Sequence, residues 1–269
     1  MQTQYAKHAL MAGGGKRVLL AVDFVDFLED TNAPASTPNW PALARSYAGR
    51  LHIPGEDVST WQGLHLQAQD KLGALFSLTS LADSLGTVAR QRAPFTADRR
   101  AAGFNPGRDY QAIIRSEGQH MLFEQKNAEL RARLSSPALV LYHQGQQSSE
   151  SFDSLRNFLD WARQHDIAVT VFINPHHADY HRIIAESGLS DTYLQWSKKV
   201  AEIVTTAAMP SWDFNAEGFE LDETPPGPSV RGKHIRWFWE PAHYTAELGE
   251  VMLGRMQEKD LGCRGSTAN

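Results

Sequence analysis

A single cysteine, Cys263, is all the thiol that this chain of 269 residues carries. No internal disulfide can form, and a cysteine without a second one nearby is a poor metal candidate. Long apolar runs are missing as well. None reaches the roughly 20 residues that a bilayer-spanning helix needs, and the N-terminus lacks the apolar core of a secretion signal. Positive charge is scarce: Lys and Arg number 26 against 31 Asp and Glu, a formal charge of −5. With no basic block to offset that balance, a nucleic-acid or anionic-membrane surface is not expected. The usual nucleophile signatures are also absent, with no Gly-Asp-Ser, no Gly-x-Ser-x-Gly and no reactive-looking cysteine. Ser148, Ser149 and Ser151 lie between an expected extended segment and a helix, which loosely mimics a nucleophile elbow. They lack its flanking glycines, and a helix N-cap at Ser149 or Ser151 explains them more simply. Ser84 falls inside a helical stripe and is set aside.

What is present reads as α/β. Residues 2–12 look like the tail of a helix ended by Gly13-Gly14-Gly15, and Arg17–Val22 is a short, nearly all-apolar run stopping at Asp23. Such a run is the signature of a strand buried on both faces, as in a parallel sheet. Helix, glycine turn and strand make the second half of a βαβ unit, without its first strand. Residues 24–59 are irregular around Pro34, Pro38, Pro41 and Pro54, with one short helix expected at 40–49. A long helical stripe over 60–92 (Trp61, Leu64, Leu72, Leu75, Leu78, Leu85, Val88) is expected to pack into a core, with a break near one of its glycines. A polar loop at 93–109, a helix at 110–134, an extended segment at 137–142 and a helix at 152–164 follow. The clearest strand is 167–173, ending in Asn174-Pro175-His176-His177. Helices at 180–186 and 191–208, a strand at 211–214 and a Pro/Gly-rich loop at 224–232 complete the run. No linker or repeat interrupts it, so residues 1–269 are expected to form one domain with a helical insertion at about 60–134.

Three strand ends carry polar residues: Asp23, the Asn174/His176/His177 group, and Asp213. Ligands of open parallel sheets bind beyond the carboxyl ends of the strands. Asp23 and Asp213 serve equally well as turn or helix caps. His177 and His181 sit one helical turn apart and raise a metal option with His176, but no glutamate follows His177 as a zincin-type motif requires. A substrate-pocket role for one of these histidines is favoured, with no metal and no cofactor. The most pointed stretch is Trp239-Glu240-Pro241-Ala242-His243-Tyr244, which puts an acid three residues before a histidine. A carboxylate so placed can hold Nδ1–H and leave Nε2 free to take a proton from a nucleophile.

Together with 17–27, 76–84, 172–180 and 212–214, the stretch 238–249 resembles the SGNH (GDSL-like) hydrolase superfamily, in its bacterial envelope and polysaccharide-associated branch. The last stretch matches that branch's Trp-Glu-x-x-His-Tyr-x-x-x-x-Gly form of the superfamily's closing Asp-x-x-His block. The resemblance implies a three-layer αβα, flavodoxin-like fold with parallel strand order 2-1-3-4-5. It also implies His243 as general base and Glu240 as the acid that orients it. Asp23, Asn174, His176, His177, Asp213, Trp239 and Tyr244 become substrate-pocket or oxyanion-side candidates. Asp23 departs from the pattern, because a carboxylate cannot donate to an oxyanion unless protonated.

The resemblance further implies a serine esterase or O-acyltransferase acting on a small-molecule or polysaccharide acyl ester, a membrane acyltransferase as partner, and a cell-envelope or periplasmic setting. The two strands that precede Arg17 in that pattern, and with them the nucleophile serine, have no counterpart here. The chain is therefore expected to be a truncated hydrolase, inactive alone, with the strand at 17–22 left as an apolar edge. The alternative is a non-catalytic glycan-binding or scaffold protein on a degenerate hydrolase fold, with Trp237, Trp239, Tyr244 and Tyr180 stacking on sugar rings.

Overall fold

Alternation of apolar strands with amphipathic helices builds a mixed α/β structure around a three-stranded parallel sheet. The computed structural model describes residues 2–32, 60–75, 78–89, 103–143, 145–215 and 221–265. The helix expected at 40–49 and most of the loop at 93–109 lie outside the described residues. The sheet holds β1 (Arg17–Val22), β4 (Ala168–Ile173) and β5 (Ser211–Asp213) in the order β1-β4-β5. β4 and β5 run parallel, with Val171 opposite Ser211 and Ile173 opposite Asp213. Two short strands, β2 (Glu29–Asp30) and β3 (Leu139–Val140), pair antiparallel.

By its contacts the chain divides into two units, one of residues 1–18, 32–97 and 150–169, the other of 19–31, 98–149 and 170–269. In the first, α1 (Gln2–Gly13) packs on α6 (Glu150–Gln164). α6 buries Phe152, Leu155, Phe158, Leu159 and Ala162, the side chains expected to face inward, and Trp161 with them. Its first turn carries Glu150 and Asp153, which suits the positive end of the helix dipole. Ser149, expected as a cap, is buried with no hydrogen-bond partner for its hydroxyl.

The stripe over 60–92 forms two helices, α2 (Thr60–Leu75) and α3 (Leu78–Ala89). Core packing is not what the described side chains of that stripe show; those of Leu75 and Leu78 are not among them. Trp61 is 83% exposed, and Leu64, Leu72, Leu81, Leu85 and Val88 are all exposed. Helical spacing guarantees that apolar side chains share a face, not that another element covers it.

The second unit holds α4 (Arg108–Ser116), α5 (Gln119–Arg133), α7 (Ala178–Glu186), α8 (Ser190–Thr206) and α9 (Ala246–Gly265). The single helix expected over 110–134 is split at Gly118, whose φ is +88°. A Cβ there would stand 2.5 Å from the Val230 carbonyl, so only glycine allows this break. The core gathers Phe123, Phe172, Phe214, Ile235, Phe238, Leu248, Met252 and Met256. Trp196, fully buried on α8, is met edge-on by Phe24 and Phe27. No described helix is long and apolar enough to cross a membrane.

β1 differs from its expected burial on both faces. Of its residues only Val22 is buried, and Leu19 is 52% exposed, because among the described residues β1 stands at the rim of the sheet. β4, between its two neighbours, buries Val169, Val171, Phe172 and Ile173.

Candidate active site

The hairpin of β6 (Phe238–Glu240) and β7 (His243–Tyr244) decides the geometry of the Glu240/His243 pair. With only Pro241 and Ala242 between the strands, Glu240 falls directly opposite His243. Glu240 is 1% exposed. Its Oε1 contacts His243 Nδ1, and its Oε2 accepts from the Ala242 amide at 3.0 Å. The hydrogen bond to Glu240 raises the His243 pKa above the ordinary imidazole value, against an opposing effect of burial. A buried glutamine steadies this hairpin: Gln119 Nε2 donates to the carbonyls of Phe238 and Trp239, and its Oε1 accepts from Ile235 N.

The pair opens on a cavity of about 620 Å³, lined also by Asp23, Asn174, Tyr180 and Tyr244. The carboxyl ends of β1 and β4 thus meet the hairpin at one place. Asp23 caps the 3₁₀ turn Phe24–Phe27 through Val25 N at 3.0 Å, and it accepts from the Tyr180 hydroxyl at 3.0 Å and from His176 Nε2 at 3.1 Å. Burial pushes its pKa up, but His176 with the two other donors outweighs that and brings it to about 2. Asp23 is therefore an acceptor in the cavity wall and cannot serve as an oxyanion donor. Of the two wall residues at these strand ends, Asn174 is the one with a neutral amide to offer.

The sign of the Asp23 shift sets a pH window. A carboxyl held below its unfolded value of about 3.9 stabilises the fold above that pH, by roughly 2 kcal/mol, and the contribution is lost as pH falls through about 2. Acid titration of Asp23→Asn, followed by circular dichroism, is expected to show less stability near neutrality and a flatter acid limb. An unchanged acid limb would remove Asp23 from that role.

His176, His177 and Asp213 are not among the residues that line the cavity. His176 is fully buried and stacks on Tyr180 at 4.0 Å. His177 caps α7, its Nδ1 accepting from Asp179 N at 3.1 Å while Nε2 donates to the Glu223 carbonyl at 2.8 Å. Both of its nitrogens are committed. Asp213 closes its own turn onto Asn215, and Asn215 Oδ1 takes His181 Nε2 at 2.9 Å and His176 N at 2.9 Å. Among the described residues no group of three or more His, Cys, Asp or Glu is placed to hold a metal.

Trp239 does not line the cavity. It stacks on Tyr110 with ring centroids 6.4 Å apart and the planes 14° from parallel, and its indole rests on Gly107. Gly107 has φ +66°, and a Cβ there would lie 3.0 Å from the indole. Gly107→Ala is expected to cost about 1–2 kcal/mol in urea unfolding. A neutral result would mean that the turn and the indole shift freely together.

Sequence reading missed Tyr110, Lys126, Glu129, Arg133 and Asn215. The middle three line the cavity from α5, where Lys126 pairs with Glu129 at 2.7 Å and Arg133 with Asp26 at 3.5 Å. Nothing in the sequence distinguishes that helical face from an ordinary solvated one. Comparisons of the chain with protein-family models, with curated proteins and with solved structures give no match.

Proposed function

We propose that this cavity is the acid–base half of an SGNH-type ester hydrolase or O-acyltransferase site for acylated sugars. On this reading the framework is flavodoxin-like, with β1, β4 and β5 as the third, fourth and fifth strands of a three-layer αβα sheet. One observation carries it: a buried carboxyl holds the imidazole of His243 at the cavity where β1 and β4 end. In that arrangement Nε2 takes the proton of an attacking hydroxyl and returns it to the leaving alkoxide, while Glu240 steadies the imidazolium.

No Ser, Thr or Cys is among the described residues that line the cavity. That composition favours a second reading, in which the cleft binds a glycan without cleaving it. Acetate release from O-acetylated oligosaccharides and from 4-nitrophenyl acetate separates the two. Weak hydrolysis that drops to the buffer rate in His243→Ala supports the hydrolase, and hydrolysis that survives the substitution ends that reading. Saturable oligosaccharide binding without any turnover leaves the glycan-binding module in its place.

A further inference from the structure

We propose that Tyr110 is a positioning residue that acts on His243 by selecting the tautomer of its imidazole, a role that rests on His243 being the base of the cleft. Two groups meet the same ring nitrogen: Glu240 Oε1 and, at 3.2 Å, the hydroxyl of Tyr110 both contact Nδ1. Nδ1 has one in-plane direction, used either by a proton or by a lone pair. A carboxylate only accepts, so the Glu240 contact needs Nδ1–H and leaves Nε2 able to take a proton. A phenol that donates to Nδ1 needs the proton on Nε2, where the ring no longer serves as a base. The two neighbours therefore select opposite forms of one side chain.

The placement of Tyr110 is specific. It sits in the first turn of α4, directly after the Gly107 turn, with its ring stacked on Trp239 and tilted against that of His243, whose ring centroid is 5.8 Å away. Burial, with the charges of Glu240, Asp109 and Glu129, raises its pKa to about 12, so its hydroxyl keeps its proton wherever an imidazole titrates. The other charges that bear on His243 are Lys126, which opposes its protonation, and Asp23, which favours it. Neither touches Nδ1. The charge-assisted bond to Glu240 is the stronger of the two competitors, so the base-ready form predominates and Tyr110 maintains a minority with hydrogen on Nε2.

Imidazole ¹⁵N shifts of the full chain, recorded above and below the His243 pKa, test this without any substrate. Tyr110→Phe keeps the ring on Trp239 and removes only the donor. It is expected to cut the Nε2–H fraction about fivefold, the worth of one neutral hydrogen bond, and to raise the His243 pKa. Placing 3-fluorotyrosine at position 110, a stronger donor, is expected to enlarge that fraction, and this arm holds even if the phenylalanine variant misfolds. Tautomer populations unchanged in both variants overturn the proposal. Unchanged populations alongside His243-dependent ester turnover would discard the tyrosine's role and keep the base. A clear tautomer response without turnover would do the reverse.

Discussion

His243→Ala is expected to return the weak ester hydrolysis of this chain to the buffer rate. A positioned general base usually contributes about 10²–10⁴-fold, and the described residues of the cavity wall hold no nucleophile to act without it. The effect should fall on kcat more than on KM, because the imidazole acts on a proton in flight and not on the resting ester. In the native chain the rate should climb as pH rises through the elevated pKa of His243, since only the neutral ring can accept a proton. Glu240→Gln removes the group that holds that pKa up. Its acid limb should move to lower pH, while the plateau falls because Nδ1–H loses its charged acceptor. A variant whose pH profile and rate both match the native chain would show that the Glu240/His243 contact is structural only.

Phe238→Ala is the substitution expected to cost most in stability, about 3–5 kcal/mol. Phe238 is fully buried, meets the His177 ring in a T-shaped contact with centroids 5.5 Å apart and belongs to the same cluster as Phe123, Phe172 and Leu248. Proteins are commonly stable by only about 5–15 kcal/mol, so such a loss would consume a large share. Phe238→Leu keeps most of the volume and should cost far less. Because residue 238 shares a three-residue strand with Glu240, the alanine variant should also loosen the hairpin and blunt the pH response of His243. Urea midpoints of the two variants give the comparison. A difference below about 1 kcal/mol between them would mean that the cluster closes over the gap.

Local signals account well for what is local. The run Arg17–Val22 and the strand ending at Ile173 were recognisable from apolar continuity alone, and α6 from its three-to-four spacing. Glu240 and His243 were recognisable because a two-residue turn brings residues three apart face to face, a relation visible in the chain itself. Contacts between distant segments left no such trace. Tyr110 reaches His243 across 133 positions, and His176 reaches Asp23 across 153. Neither pair has a spacing that marks it. His177 shows the opposite error: it looked like pocket chemistry because it follows a strand, yet its nitrogens are spent on a helix cap and a loop carbonyl. The stripe at 60–92 failed for a related reason, since periodicity reports which side chains share a face and is silent on what that face meets.

The rim position of β1 has a consequence for handling the protein. Among the described residues only β4 neighbours it in the sheet, and Leu19 and Ala21 are exposed beside that open flank. An edge strand that carries greasy side chains invites another extended chain to zip alongside. Concentrated solutions should therefore clump through this flank first, and a lysine in place of Leu19 is the modest change that would keep them clear.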